Sequence, residues 1–188
     1  MKNISLRPVA LFSASILLLA TASAAFGQAP SDDDKHFVEA ALKGGMGEVE
    51  LGKLAAQKGA SDDVKMFAQK MVTDHTKLGD KMKAVAAEIG VKPPDMSNAG
   101  SMAEKTKLEV LSGKTFDDAY ISAMVKDHED DLQAFKNEAA NGTSPAVKRA
   151  AHQGETVVAE HLEMIRKIAQ AHNVSARNKQ QNVGSKGF

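Results

Sequence analysis

The chain has 188 residues, with 24 Lys and Arg against 24 Asp and Glu, six His, one Tyr, and neither Cys nor Trp. That length suits one domain, and the missing cysteines exclude disulfides, thiolate metal sites, a cysteine nucleophile and a lipid anchor on cysteine. Balanced charge with no Lys/Arg cluster excludes a nucleic-acid binder that relies on phosphate neutralisation, and abundant Ala, Lys, Glu, Leu and Met describe an all-α protein.

Residues 1–25 read as a secretory signal. Lys2 and Arg7 open it, Val9 to Ala20 is nearly all apolar, and Ala22-Ser23-Ala24 or Ala25 ends it with small residues suited to cleavage. The apolar run is too short for a comfortable span, and no later stretch approaches the roughly 18 apolar residues that a transmembrane helix needs. The mature chain then holds 22 basic residues against 24 acidic ones, without a transmembrane span, and its expected address is the periplasm.

A four-helix bundle over residues 31–173 follows. Ser31 with Asp32, Asp33 and Asp34 starts a first helix over about 33–58, stopped by Gly59. Ser61 caps a second, about 61–90, which ends at Gly90 before Pro93-Pro94. Thr115 and Asp118 open a third over about 115–141, closed by Gly142, and Ser144-Pro145 opens the fourth, about 145–173. A polar tail occupies 174–188. The loops after the first and third helices are short, so each joins antiparallel neighbours. The connection from Val91 to Lys114 is 24 residues, holds a short helical piece at Met102–Leu111, and can cover the length of a helix of about 40 Å. Two hairpins joined by one long crossover between helices two and three make a ferritin-like bundle; a plain up-down bundle with a decorated loop is the alternative.

One ionisable residue interrupts the apolar stripe of each helix. The second helix reads Val64, Ala68, Met71, His75, Leu78, Met82, Val85, Ile89; the third carries Phe116, Tyr120, Met124, His128, Leu132, Phe135. The fourth places His161 between Val158 and Ile165, and the glycine-rich first helix places Glu48 between Ala41 and Leu51. Glu48, His75, His128 and His161 all fall near the midpoints of their helices, at about residues 45, 76, 128 and 159. They form one polar layer, which must be satisfied internally. Three imidazoles and a carboxylate suit a divalent transition metal such as Zn, Fe or Cu, and equally a hydrogen-bonded network that fixes helix register.

Asp74 and Asp127 directly precede two of these histidines and are candidates for orienting them, for holding a second metal, or for plain surface acids. Met71 and Met124, one turn away, would soften the site towards Cu(I) or simply fill the core. The glycines at 44, 45 and 47 suggest close helix packing or a kink beside Glu48. His36, His152 and His172 lie off the layer. No phosphate-binding loop, nucleophile elbow or catalytic triad is present, so the sequence nominates no catalytic residue and no reaction.

These residues carry a resemblance. Phe37-Val38-Glu39-Ala40-Ala41, Glu48-Val49-Glu50-Leu51-Gly52, Met71-Val72 with Asp74-His75, Phe116-Asp117 with Tyr120, Met124-Val125 with Asp127-His128, and His161-Leu162 resemble the exported bacterial family called domain of unknown function 4142. The resemblance spans about 37–171. It implies a ferritin-like bundle in the periplasm or peripheral to the outer membrane, and no established reaction. The helices lack the Glu-x-x-His pairs of di-iron ferritins, which argues against ferroxidase activity. The expectations are therefore a midplane metal-binding bundle with a metal-handling or stress-protective role, against a non-metal interaction bundle, with a metal-dependent oxidoreductase or hydrolase as a third reading.

Overall fold

The computed structural model describes residues 29–174. The expected signal at 1–25 and the tail from Ser175 lie outside the described residues. Five helices follow in order: α1 (Asp32–Lys58), α2 (Asp62–Glu88), α3 (Ala99–Glu109), α4 (Gly113–Asn141) and α5 (Pro145–Ala171). α3 is the short helix of the crossover, begun by Asn98, whose side chain accepts from the Ser101 amide. α4 starts two residues before Thr115, because Gly113 sits at φ 57, where an L side chain is strained, and turns the chain into the helix behind Ser112.

Two buried carboxylates set the topology. Asp34 completes a capping box with Ser31 at the start of α1. It also accepts from the amides of Thr143 (2.9 Å) and Ser144 (3.2 Å), so the α4–α5 turn sits at the start of α1. At the other end, Asp117 in the first turn of α4 accepts from the amides of Ala60 and Ser61, both at 2.9 Å. The α1–α2 turn therefore meets the start of α4, and the connection from α2 to α4 must run the full length of the bundle. This is the ferritin-like arrangement of two hairpins and one long crossover, not the up-down alternative.

The apolar core is divided in two. One cluster lies towards the α1–α2 turn and includes Leu51, Phe67, Met71, Tyr120, Met124 and Ile165. The other lies towards the α4–α5 turn and includes Leu42, Leu78, Met82, Phe135, Val147 and Val158. In α1, α2, α4 and α5 alike, the division falls at one residue: Glu48, His75, His128 and His161. The glycines of α1 act differently from one another. A Cβ on Gly47 would stand 2.2 Å from Ser101 Oγ, so Gly47 is where α3 lies on α1, whereas nothing stands within 4 Å of a Cβ on Gly44 or Gly45. Among the described residues, no helix is long and apolar enough to cross a membrane.

Candidate metal centre

The layer is assembled by helix periodicity. A residue at the seam of each of four packed helices points inward, and hairpin pairing brings the four to one height. His128 and His161 are fully buried, and Glu48 and His75 nearly so. The centroids of the three imidazole rings lie 5.1–5.7 Å apart.

Their polar contacts form a chain. Glu48 Oε2 lies 2.7 Å from His75 Nδ1, and His75 Nε2 lies 3.2 Å from His161 Nδ1. His161 Nε2 lies 3.0 Å from Asp74 Oδ2, which also accepts from Lys70 Nζ at 2.7 Å. His128 stands apart from this chain. Its Nδ1 faces the carbonyl of Met124 at 2.9 Å, and a carbonyl only accepts, so Nδ1 carries the ring proton of the neutral imidazole. Nε2 is then a lone pair, buried with no hydrogen-bond partner.

Burial decides the protonation of the rings. It holds His75 and His128 down at about 4 and lowers His161 as well, so all three are neutral at neutral pH. The same burial pushes Glu48 up to about 7, opposed by His128 and reinforced by Asp127. Two proton arrangements fit. With Glu48 ionised, His75 donates to it and His161 donates to Asp74; the 3.2 Å contact then sets two lone pairs face to face. With Glu48 protonated, the acid donates to His75, His75 to His161, and His161 to Asp74. His128 Nε2 lacks a partner in both.

The residues fit a metal ion. One ring nitrogen from each of His75, His128 and His161 lies within 4.8 Å of the others. Tetrahedral Zn–N bonds of about 2.0–2.1 Å place ligand nitrogens about 3.4 Å apart, so one pair is already at that spacing and modest closure brings in the third. Each ring also has an acceptor behind it: Glu48 for His75, the Met124 carbonyl for His128, and Asp74 for His161. Such acceptors fix tautomer and orientation in metal-bound histidines.

The four residues of the expected layer come together, but Glu48 stands behind His75, with Oε1 3.7 Å from His128 Nδ1, outside the group of three converging nitrogens. Asp74 reaches across to His161 on α5, not to His75 beside it in the chain. Asp127 lines a cleft between α1, α3 and α4. Met71 and Met124 are fully buried in the core, and Met124 serves the site through its carbonyl. His36 and His152 are exposed, and His172 pairs with Asp63 at 2.9 Å at the end of the bundle. Asp131 is a residue that the stripe does not mark. It borders Glu48 and His75 in a cavity of about 10 Å³, room for about one water, and burial together with Glu48 and Asp127 pushes it up to about 7. Its position three residues after His128, the spacing that shares a helix face, is the signal that points to it.

Comparison with known proteins agrees with this architecture. The profile of the family described as domain of unknown function (DUF4142) matches residues 19–168. No curated protein matches the sequence. Among solved structures, a DUF305 fragment from Deinococcus radiodurans is 15% identical, covering 76% of this chain and 98% of its own, with a TM-score of 0.68. A DUF305 protein of Streptomyces coelicolor, described as secreted, is 16% identical over 78% of this chain and 97% of its own, with a TM-score of 0.65. A two-domain protein from Anabaena variabilis with DJ-1/ThiJ/PfpI-like and ferritin-like domains is 14% identical, covering 85% of this chain and 42% of its own, with a TM-score of 0.59. At these identities the likeness is one of fold.

Proposed function

This chain belongs to the DUF4142 family, and we propose that it is an exported protein that holds one divalent transition metal ion between His75, His128 and His161, in a metal-handling or protective role. The observation that carries the reading is His128 Nε2, a buried lone pair that no proton arrangement of the layer satisfies. A cation bound by the three neutral imidazoles would satisfy it, and would also relieve the two lone pairs that meet when Glu48 is ionised. Glu48 and Asp74 would orient two of the rings, and the third would be held by the Met124 carbonyl. Three neutral nitrogens suit Zn(II), and Fe(II) or Cu(II) also accept imidazole. Export is supported by the signal-like residues 1–25 and by the secreted description of the Streptomyces coelicolor protein of the same fold.

Elemental analysis of protein purified without a metal-affinity tag, beside His128→Ala, tests this. The expected result is about one metal per chain, lost in the variant. A protein that arrives metal-free and takes up neither Zn(II), Fe(II) nor Cu(II) refutes it. The continuous chain from Glu48 through His75 and His161 to Asp74 favours a second reading, a hydrogen-bonded layer that fixes helix register. On that reading chelators leave the melting temperature unchanged.

A further inference from the structure

A second feature adjoins the layer from outside. Between α1, α3 and α4 lies a cleft of about 420 Å³, lined by the carboxylates of Glu48, Glu104, Asp127, Asp130 and Asp131 and by one ammonium, Lys126. That ammonium is engaged by Asp130 at 2.6 Å, and Glu104 meets Lys107 at 3.1 Å. Among the described residues neither Asp127 nor Asp131 makes an ion pair or hydrogen bond, although both are half-buried.

Glu48 is the buried residue of this lining, 4% exposed, and so forms its floor. While Oε2 meets His75, Oε1 is buried without a hydrogen-bond partner. Gly44, one turn before Glu48, borders the same cleft, and a Cβ there would meet nothing within 4 Å.

Carboxylates gathered around an unsatisfied carboxylate oxygen, with one already engaged cation among them, call for added positive charge. The donor set is all oxygen, which suits hard cations and not the imidazole-seeking metals of the midplane. Among the described residues the histidines are the group tight enough to enclose a bare ion, so these carboxylates would hold an ion that keeps some of its waters, for which the cleft has room.

We propose that the cleft is a second cation site, distinct from the histidine centre, which takes a partly hydrated hard divalent cation of the Mn(II), Mg(II) or Ca(II) class on Asp127, Asp131 and Glu48. It does not require the histidines to be loaded. Glu48 and Asp131 border both the histidine layer and the cleft, and Glu48, which also meets His75, would link the two sites.

Mn(II) is the probe, because binding removes the signal of the free aqueous ion in electron paramagnetic resonance. The purified protein, stripped of metal, is titrated with Mn(II) alongside His128→Ala and the double variant Asp127→Asn/Asp131→Asn, with circular dichroism to establish that each is folded. Wild type and His128→Ala are expected to bind one Mn(II) alike, and the double variant to bind it roughly tenfold more weakly or worse, as ligand charge sets affinity. The inference is overturned if wild type leaves the Mn(II) signal untouched, if the double variant binds as wild type does, or if His128→Ala abolishes binding. A failure to bind Zn(II) at the histidines would leave this outcome standing, so the two sites are tested separately.

Discussion

Asp34 and Glu48 lie fourteen residues apart on the same helix, both buried, and their surroundings are opposite. Asp34 accepts from the amides of Ser31, Thr143 and Ser144 and from the hydroxyls of Ser31 and Thr143. Those donors outweigh its burial and hold its carboxyl well below the ordinary range. Glu48 has one close partner and an orphaned oxygen, and burial pushes it up to about 7. A carboxylate that fully satisfies its neighbours stabilises a junction. One left half-satisfied in a layer of neutral imidazoles stores an unmet demand for charge, and such demands mark sites.

The contrast is sharpest in stability. Asp34→Ala removes the shared acceptor from the donors of two chain junctions and should lower unfolding free energy by about 3 kcal/mol in urea denaturation. Gly154→Ala would place a Cβ 2.1 Å from the Phe135 ring, and should cost about 2 kcal/mol by overpacking the cluster nearer the α4–α5 turn. Asp74→Asn should barely alter the melting temperature of metal-free protein, yet weaken metal binding about tenfold in a chelator competition, because the His161 ring loses the carboxylate behind it. If Asp74→Asn proves as destabilising as Asp34→Ala, the distinction between junction and site collapses.

Titration gives a smaller effect of known sign. Glu138 is pushed up from 4.5 to about 7, by burial and then by the neighbouring Asp34 carboxylate. The folded state therefore holds a proton that the unfolded chain releases, and this contribution to stability is complete below pH 4.5 and lost as pH rises to about 7. Glu138→Gln should match the wild type near pH 4.5, gain on it up to about pH 7, and keep a constant lead above. Buried His75 and His128, held at about 4, act with the opposite sign between 4 and 6.5, so the difference between variants is the quantity to measure by thermal melts. A flat difference across that range would mean that Glu138 titrates as an exposed residue does.

The layer was legible because helix periodicity is local. His75 interrupts an apolar stripe between Met71 and Leu78, and its place near the helix midpoint, shared by the other three, puts such interruptions at one height. What each member touches was not legible. That Asp74 serves His161 across a helix interface depends on the rotation of two helices, to which sequence spacing is blind. The double duty of Asp34, more than a hundred residues from Thr143, is equally non-local, as is the cleft formed when α3 lies on Gly47. The glycines at 44, 45 and 47 read alike as close packing or a kink, but Gly47 makes room for a helix whereas Gly44 borders an open cleft where a Cβ would meet nothing.

The central claim is that three imidazoles converge on one ion, and X-ray absorption on the Zn(II)-loaded protein tests it most directly. The account predicts a first shell with three imidazole nitrogens at about 2.0–2.1 Å. A shell of oxygen ligands alone, or one with a single imidazole, would contradict it and leave Glu48, His75, His128 and His161 as a hydrogen-bonded layer inside the bundle.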